Sequence, residues 1–329
     1  MSTVFFLGAT GYIGGSLLVT LKKHFPNLTI HALVRSPTHI PAIRAVGAEP
    51  IQGDFGDEAL IAEWSAKADI VVNAADSDDV KLITAILGGI KRRREEGKPK
   101  GLLIHTSGVA VFLDDGTEGL YDPSGRVWND NSEEDIQSIT TSMLHGSVDV
   151  LVLLVGKEGY VNTYIVSPAA IVGPSLGPVG KASFFLKGTT HIVLSRKSAV
   201  YVGEGSNVFY VVHIDDVMNL YLRVFELAVA EKEAAVSSYT RYFVASSQPA
   251  AWKTIMTLLA STLHKRGLLE SPEPQSVSIG DLLPYEHFLA KSQRIVTDRS
   301  KSLGWNPRPV VLEDWFEASV DAVLEGLPR

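Results

Sequence analysis

Gly8, Gly11 and Gly14 stand in "GATGYIGG" with the spacing G-x-x-G-x-x-G. An apolar run, "TVFFLG" (3–8), leads into them. "YIGGSLLVTLKKHF" (12–25) follows, with Ile13, Leu17, Leu18 and Leu21 at helical spacing. At a strand-to-helix turn these residue types can hold a dinucleotide pyrophosphate. The first glycine permits the tight turn, the second lets backbone approach the phosphates, and the third lets the helix lie close to the strand. The helix N-terminus then offers free N–H groups and a positive dipole end. Thr10, Tyr12 and Ile13 belong to the same turn and are expected to contribute to it. The flanking strand and helix favour this reading over an ordinary tight turn.

The end of the second strand, "HALVRSP", carries Arg35 where an NAD site usually places an acid for the ribose 2′-OH. A guanidinium suits a 2′-phosphate through charge-assisted bonds. NADP(H) is therefore expected over NAD(H), against the alternative of a surface arginine. Asp54, followed by Phe55 in "QGDFGD", ends the third strand and could reach the adenine or cap the next helix.

These residues need a scaffold, and the pattern supplies one. Strand-like runs at 29–34, 49–54, 68–75 and 101–108 alternate with helical runs at 41–47, 57–66 and 78–95. Near-continuous apolar strands between amphipathic helices predict an α/β fold, a Rossmann doubly wound parallel sheet covered on both faces. Residues 109–131 lack any period and read as a long loop at the sheet's carboxyl edge. A helix is expected through 138–159 and a sixth strand over 161–173. The segment 213–228 reads as a helix capped by Asp215 or Asp216. The NAD(P)-binding domain is assigned to 1–174, with strand and helix contributions from 208–229. A smaller, mostly helical substrate region takes 175–329.

Composition narrows the function. The chain has 329 residues, 45% hydrophobic, enough for a large buried core. Its formal net charge of −7 argues against nucleic acid as a partner. The basic run "KRRREEGKPK" (91–100) reads as the solvated end of a helix. The absence of cysteine excludes disulfides and thiolate chemistry, and no histidine cluster suggests a metal. No signal peptide or membrane-length apolar run is visible, so a cytoplasmic protein with no membrane partner is expected.

The chain resembles the extended and atypical branches of the short-chain dehydrogenase/reductase superfamily. The likeness runs through "GATGYIGG", "VRSP", "GDFGD", "NAA" (73–75), "HTSG" (105–108), "YIVSPAAIVGP" (164–174) and "VHIDDV" (212–217), with "VGEGSN" and "LGWNP" further on. It is nearest to a fungal-type group described as NAD(P)-binding or epimerase/dehydratase-like. The resemblance implies that Ser107 polarises a substrate carbonyl. It places Ala74 and Ala75 by the ribose and pyrophosphate, Thr106 at the cofactor, and Pro168, Ala169 and Ile171 along the nicotinamide. It also allows a homodimer.

One family feature is missing. The usual Tyr-x-x-x-Lys pair aligns here with His145 and Asp149. At i, i+4 they would share a helical face, so His145 could act as general acid oriented by Asp149. A helix surface or subunit contact is the weightier alternative for both. Tyr121 in the long loop is a further proton-donor candidate. The expected activity is NADP(H)-dependent oxidoreduction of a small carbonyl, imine or enone-like substrate. The alternatives are an NADP(H)-binding sensor without turnover, or a non-redox isomerase or lyase.

Overall fold

The structure is a computed structural model that describes residues 2–231 and 236–326. Its first half alternates strictly. β1 (Thr3–Leu7), α1 (Tyr12–His24), β2 (Thr29–Val34), α2 (Ile40–Ala45), β3 (Glu49–Gln52), α3 (Glu58–Lys67), β4 (Ile70–Asn73), α4 (Val80–Glu95) and β5 (Gly101–Thr106) follow one another. The long segment after β5 contains only a 3-10 turn, the two-residue β6 (Trp128–Asn129) and the short α5 (Glu133–Gln137). α6 (Gly146–Glu158), β7 (Val161–Pro168) and β8 (Ala170–Val172) come next. The remainder holds α7 (Phe184–Arg196), β9 (Val200–Val202), β10 (Val208–His213), α8 (Ile214–Ala230), β11 (Tyr242–Ala245), β12 (Gln248–Ala251), α9 (Trp252–Lys265), β13 (Gln275–Val277), β14 (Ile295–Val296), α10 (Asp298–Ser302) and α11 (Leu312–Glu325).

The main sheet is parallel throughout, in the order β11-β7-β5-β4-β1-β2-β3. β1, β4 and β5 are apolar and almost wholly buried because helices cover both faces. The order reverses between β4 and β1, which opens a crevice at their carboxyl ends. The expected Rossmann fold is therefore present, joined to a mostly helical C-terminal region. That region has its own core around Trp252, whose ring packs against Phe185, Phe209 and Phe288.

Tertiary pairing redraws several sequence boundaries. The run 161–173 is two strands, not one. Pro168 has no N–H to give a ladder, and the chain passes through Ala169 into a second sheet, β12-β10-β8. The strand at 208–213 belongs to that small sheet. The main sheet instead takes its edge strand, β11, from residues 242–245. The helix expected through 138–159 begins only at Gly146, because His145 turns left-handed at φ 65°. α8 is capped by His213, whose Nδ1 accepts from the Asp215 N–H, rather than by Asp215 or Asp216. The basic run is not wholly solvated. Arg93 is buried, and its guanidinium holds the Asp69 carboxylate at 2.5 Å.

The glycine turn is fixed by close backbone approach. Gly8 sits at φ 88°, and a Cβ there would fall 2.2 Å from the Ala74 carbonyl oxygen. A Cβ on Gly14 would fall 2.2 Å from the Gly8 oxygen. Gly14→Ala is therefore expected to cost about 1–3 kcal/mol, because backbone must move to admit the methyl. Gly88→Ala, within α4 where a Cβ meets nothing, should stabilise by roughly 0.5–1 kcal/mol. Thermal unfolding of the two variants checks the contrast, and equal melting temperatures would refute it.

Candidate active site

The crevice between β1 and β4 is lined by the glycine turn on one side and by the turn after Asn73 on the other. Gly8 and Gly14 lack side chains because their own backbone neighbours leave no room. Gly11 differs: a Cβ there would meet only the Gly8 oxygen, at 3.2 Å. Gly11 also caps α1, whose first turn holds neither an acid nor a capping side chain. That leaves helix N–H groups and a positive dipole end for a ligand, which fits a pyrophosphate. The Tyr12 side chain is committed elsewhere. Its buried hydroxyl donates to the Gly173 carbonyl at 2.7 Å, so the ring is not available to a ligand.

A second segment closes on this turn. A Cβ on Gly177 would lie 2.8 Å from the Gly15 carbon, and one on Gly180 would lie 2.6 Å from the Gly11 carbon. The Leu176 N–H donates to Ser16 Oγ. Residues 175–181 thus strap the start of α1. No local pattern announces these two glycines, because their need comes from a segment about 160 residues away in the chain.

Arg35 is exposed after β2 and has neither hydrogen-bond nor ion-pair partner among the described residues. Asp54 is exposed too and accepts from the Gly56 N–H, while Asp57 provides the cap for α3. Phe55 packs on the main core, and Thr10, Ala74 and Ala75 are half-buried around the crevice. Thr106 Oγ1 is held by Tyr221 of α8 at 2.6 Å. Pro168, Ala169 and Ile171 are buried along the passage between the two sheets.

The residues expected to catalyse do not pair as the spacing suggested. His145 lies outside α6. Its Nδ1 faces Asp78 Oδ1 at 2.9 Å and Ser77 Oγ at 3.1 Å, both from the turn after β4. Asp78, not Asp149, orients it, and the His145 hydrogen bond holds the Asp78 carboxyl below its usual range. The other edge of the imidazole lies over Gly108, where a Cβ would be 2.9 Å from Nε2. Tyr121 is remote from this group. It is half-exposed, its N–H donates to Ser206, and its ring lies by Arg294.

Asp149 is fully buried, so it is neither a helix-surface residue nor a subunit contact. Its Oδ2 accepts from Ser107 Oγ at 2.8 Å and from the Tyr242 hydroxyl at 2.9 Å. His105 Nε2 lies 3.8 Å from its Oδ1. Strand geometry explains the gathering. His105 lies on β5 and Ser107 just past its end, two residues on, so both project to one face. Tyr242 arrives on β11, two strands away. Tyr242 and His105 were not read as site residues with Asp149, because β11 lies outside the alternating first half and nothing in the local pattern sets His105 against a carboxyl.

The line continues to the dinucleotide side. The Ala75 N–H donates to Asn73 Oδ1, which turns the Asn73 amide nitrogen toward His105 Nδ1 at 3.1 Å. His105 Nδ1 is then the acceptor, and its proton sits on Nε2, facing Asp149. Burial keeps that imidazole neutral, pulling it from 6.5 to about 3. Burial also pushes the Asp149 carboxyl up, from 3.8 to about 6, against the hydrogen bonds from Ser107 and Tyr242. Tyr242 stays protonated, raised well above its ordinary value by burial and by the adjoining carboxyl.

A family profile described as NAD(P)H-binding matches residues 8–112, from the first glycine to the turn after β5. Among solved structures, a UDP-glucose 4-epimerase from Stenotrophomonas maltophila with bound NAD is 14% identical. It superposes with a TM-score of 0.66 over 99% of this chain and 98% of that one. A dTDP-glucose 4,6-dehydratase from Bacillus anthracis in complex with NAD is 13% identical, with a TM-score of 0.65 over 99% and 97%. The chain shares the Rossmann fold of these NAD-bound enzymes, with an NAD(P)H-binding profile over its first part. A curated relative, Oxidase ucsJ from an Acremonium species, is 25% identical over 326 residues, 93% of this chain and 92% of that protein.

The expectation of NADP(H) is corrected by these structures, of which the epimerases and the dehydratase that name a dinucleotide name NAD. The physical reason lies at Arg35. An exposed guanidinium with no partner to aim it is not a built phosphate site. No helix among the described residues is long and apolar enough to cross a membrane. No group of three or more His, Asp or Glu among them could hold a metal.

The two shifted groups set opposing pH dependences. The folded-state value of Asp149 lies above its ordinary one, so folding binds its proton more tightly. That contribution is complete below pH 3.8 and is lost as pH rises through about 6. His105 runs the other way, its contribution complete above 6.5 and lost as pH falls toward 3. Asp149→Asn removes only the first. Relative to the native protein, the variant should gain on the order of 2–3 kcal/mol between about pH 4 and about pH 8. Urea unfolding at the two pH values measures this, and a pH-independent difference would mean an unshifted carboxyl.

Proposed function

We propose that the protein is an NAD(H)-dependent oxidoreductase of the atypical short-chain dehydrogenase/reductase type, acting on a small carbonyl, imine or enone-like group. The observation that carries this reading is the buried Asp149 carboxyl behind Ser107. A carboxyl wholly out of water costs stability unless it is surrounded by donors. Here Ser107 and Tyr242 donate to it, and acid–base chemistry would have a use for it. The full-length relative named as an oxidase supports redox chemistry over isomerisation.

Bound nicotinamide would supply or accept the hydride, and the protein would supply position and electrostatics. The glycine turn would hold the pyrophosphate. Ser107 would touch the substrate oxygen. His145, aligned by Asp78, would form the adjoining wall with its ring over Gly108. The strap 175–181 and the C-terminal region would shape the rest of the pocket.

The test follows NADH consumption with a panel of aldehydes, ketones, imines and quinones, with NAD and the matching alcohols in the reverse direction. At least one pair should turn over. Ser107→Ala should then lower kcat by about 10²–10⁴-fold, while the Kd for NADH stays within a few-fold. Tight NADH binding with no turnover in either direction would replace this reading with a dinucleotide sensor. Solvent deuterium entering a product with no net change in NADH would replace it with an isomerase or lyase.

A further inference from the structure

The donors around Asp149 permit two arrangements of the same atoms. With Asp149 ionised, Ser107 and Tyr242 both donate to Oδ2, as their distances of 2.8 and 2.9 Å allow. With Asp149 protonated, the carboxyl can donate to Ser107 Oγ, and the Ser107 proton is freed to point at a substrate oxygen. Tyr242 keeps its own proton, so it remains a donor in both arrangements. The protonated Nε2 of His105 faces Oδ1 in both. Asp149 has no other polar partner among the described residues, and Oδ1 has no hydrogen bond at all.

We propose that Asp149 is the proton reservoir of the reaction, and that Ser107 passes the proton between it and the substrate oxygen. Tyr242 and His105 are positioning residues that hold the carboxyl. This rests on the oxidoreductase reading above. In the reducing direction a bound reduced nicotinamide would supply the hydride that the substrate carbon gains, and would itself be oxidised. The C=O π pair moves to the oxygen, and the oxygen takes the Ser107 proton. Ser107 Oγ takes the Asp149 proton, and the carboxylate recovers one from solvent through Ser107 after product leaves. Alcohol oxidation runs the same transfers backwards, ending on the carboxylate. The groups that bear on Asp149 are Ser107 and His105 from β5 and its end, Tyr242 from β11, and at longer range His145 and Asp78.

Infrared titration of the whole protein reads the reservoir without turnover. A protonated-carboxyl C=O band should titrate near pH 6, vanish in Asp149→Asn, and move to higher pH in Tyr242→Phe, which removes a donor to the charged form. In the assay, reduction should fall and alcohol oxidation rise through the same pH. Tyr242→Phe should shift that midpoint upward with the KM for NADH unchanged, and Asp149→Asn should flatten the profile. The infrared band titrating as described, with no turnover of any substrate, would support a titrating Asp149 and overturn only the oxidoreductase reading. Turnover intact with no such band, or with a native pH profile in Tyr242→Phe and Asp149→Asn, would overturn the reservoir alone.

Discussion

A carboxyl group held out of water must be met by donors, and that requirement organises the centre of this molecule. Asp149 is carried on the first full turn of α6, and its partners come from β5 and β11, with β7 between them. None of these partners is near it in sequence. The sheet order has to be right before the carboxyl can be accommodated, and α6 has to begin at Gly146 for Asp149 to face inward. The left-handed His145 makes that start possible, since it turns the chain into the helix and swings its own ring toward Asp78.

The crevice between β1 and β4 and the Asp149 cluster are one construction. Asn73 ends β4, and its side chain is oriented by the turn that follows, which also packs against Gly8. The same amide fixes the tautomer of His105, and His105 faces the carboxyl behind Ser107. Hydrogen bonds therefore run from the glycine turn's neighbour as far as His105, whose Nε2 faces the Asp149 carboxyl across 3.8 Å. The contribution of the C-terminal region is to close this arrangement from outside, through the strap packed on Gly11 and Gly15 and through Tyr12, tied to Gly173.

Much of the first half was legible in the chain. Strands and helices up to β5 fall within a few residues of the runs that predicted them, because each is a local hydrophobic period interrupted by a local turn signal. The glycine spacing located the crevice for the same reason. Ser107 was picked out through its family resemblance, and the structure sets its hydroxyl against Asp149. Arg35 misled because its type was readable while its lack of a partner was not. The His145–Asp149 spacing misled because it assumed a helix through both residues, and the helix starts one residue later. Pro168 hid a change of sheet inside what read as one strand.

The sequence by itself determined the βα alternation, the glycine turn and the absence of thiol chemistry, since these depend on residue type and short-range spacing. Only the tertiary structure decided what Asp149 is. A carboxyl on an amphipathic run reads as a surface charge until strands from residues 101–106 and 242–245 are brought to either side of β7. Strand order is set by packing across the whole sheet, and no local pattern encodes it. The environment that desolvates Asp149, and the tyrosine that lies against it, exist only once that order is made.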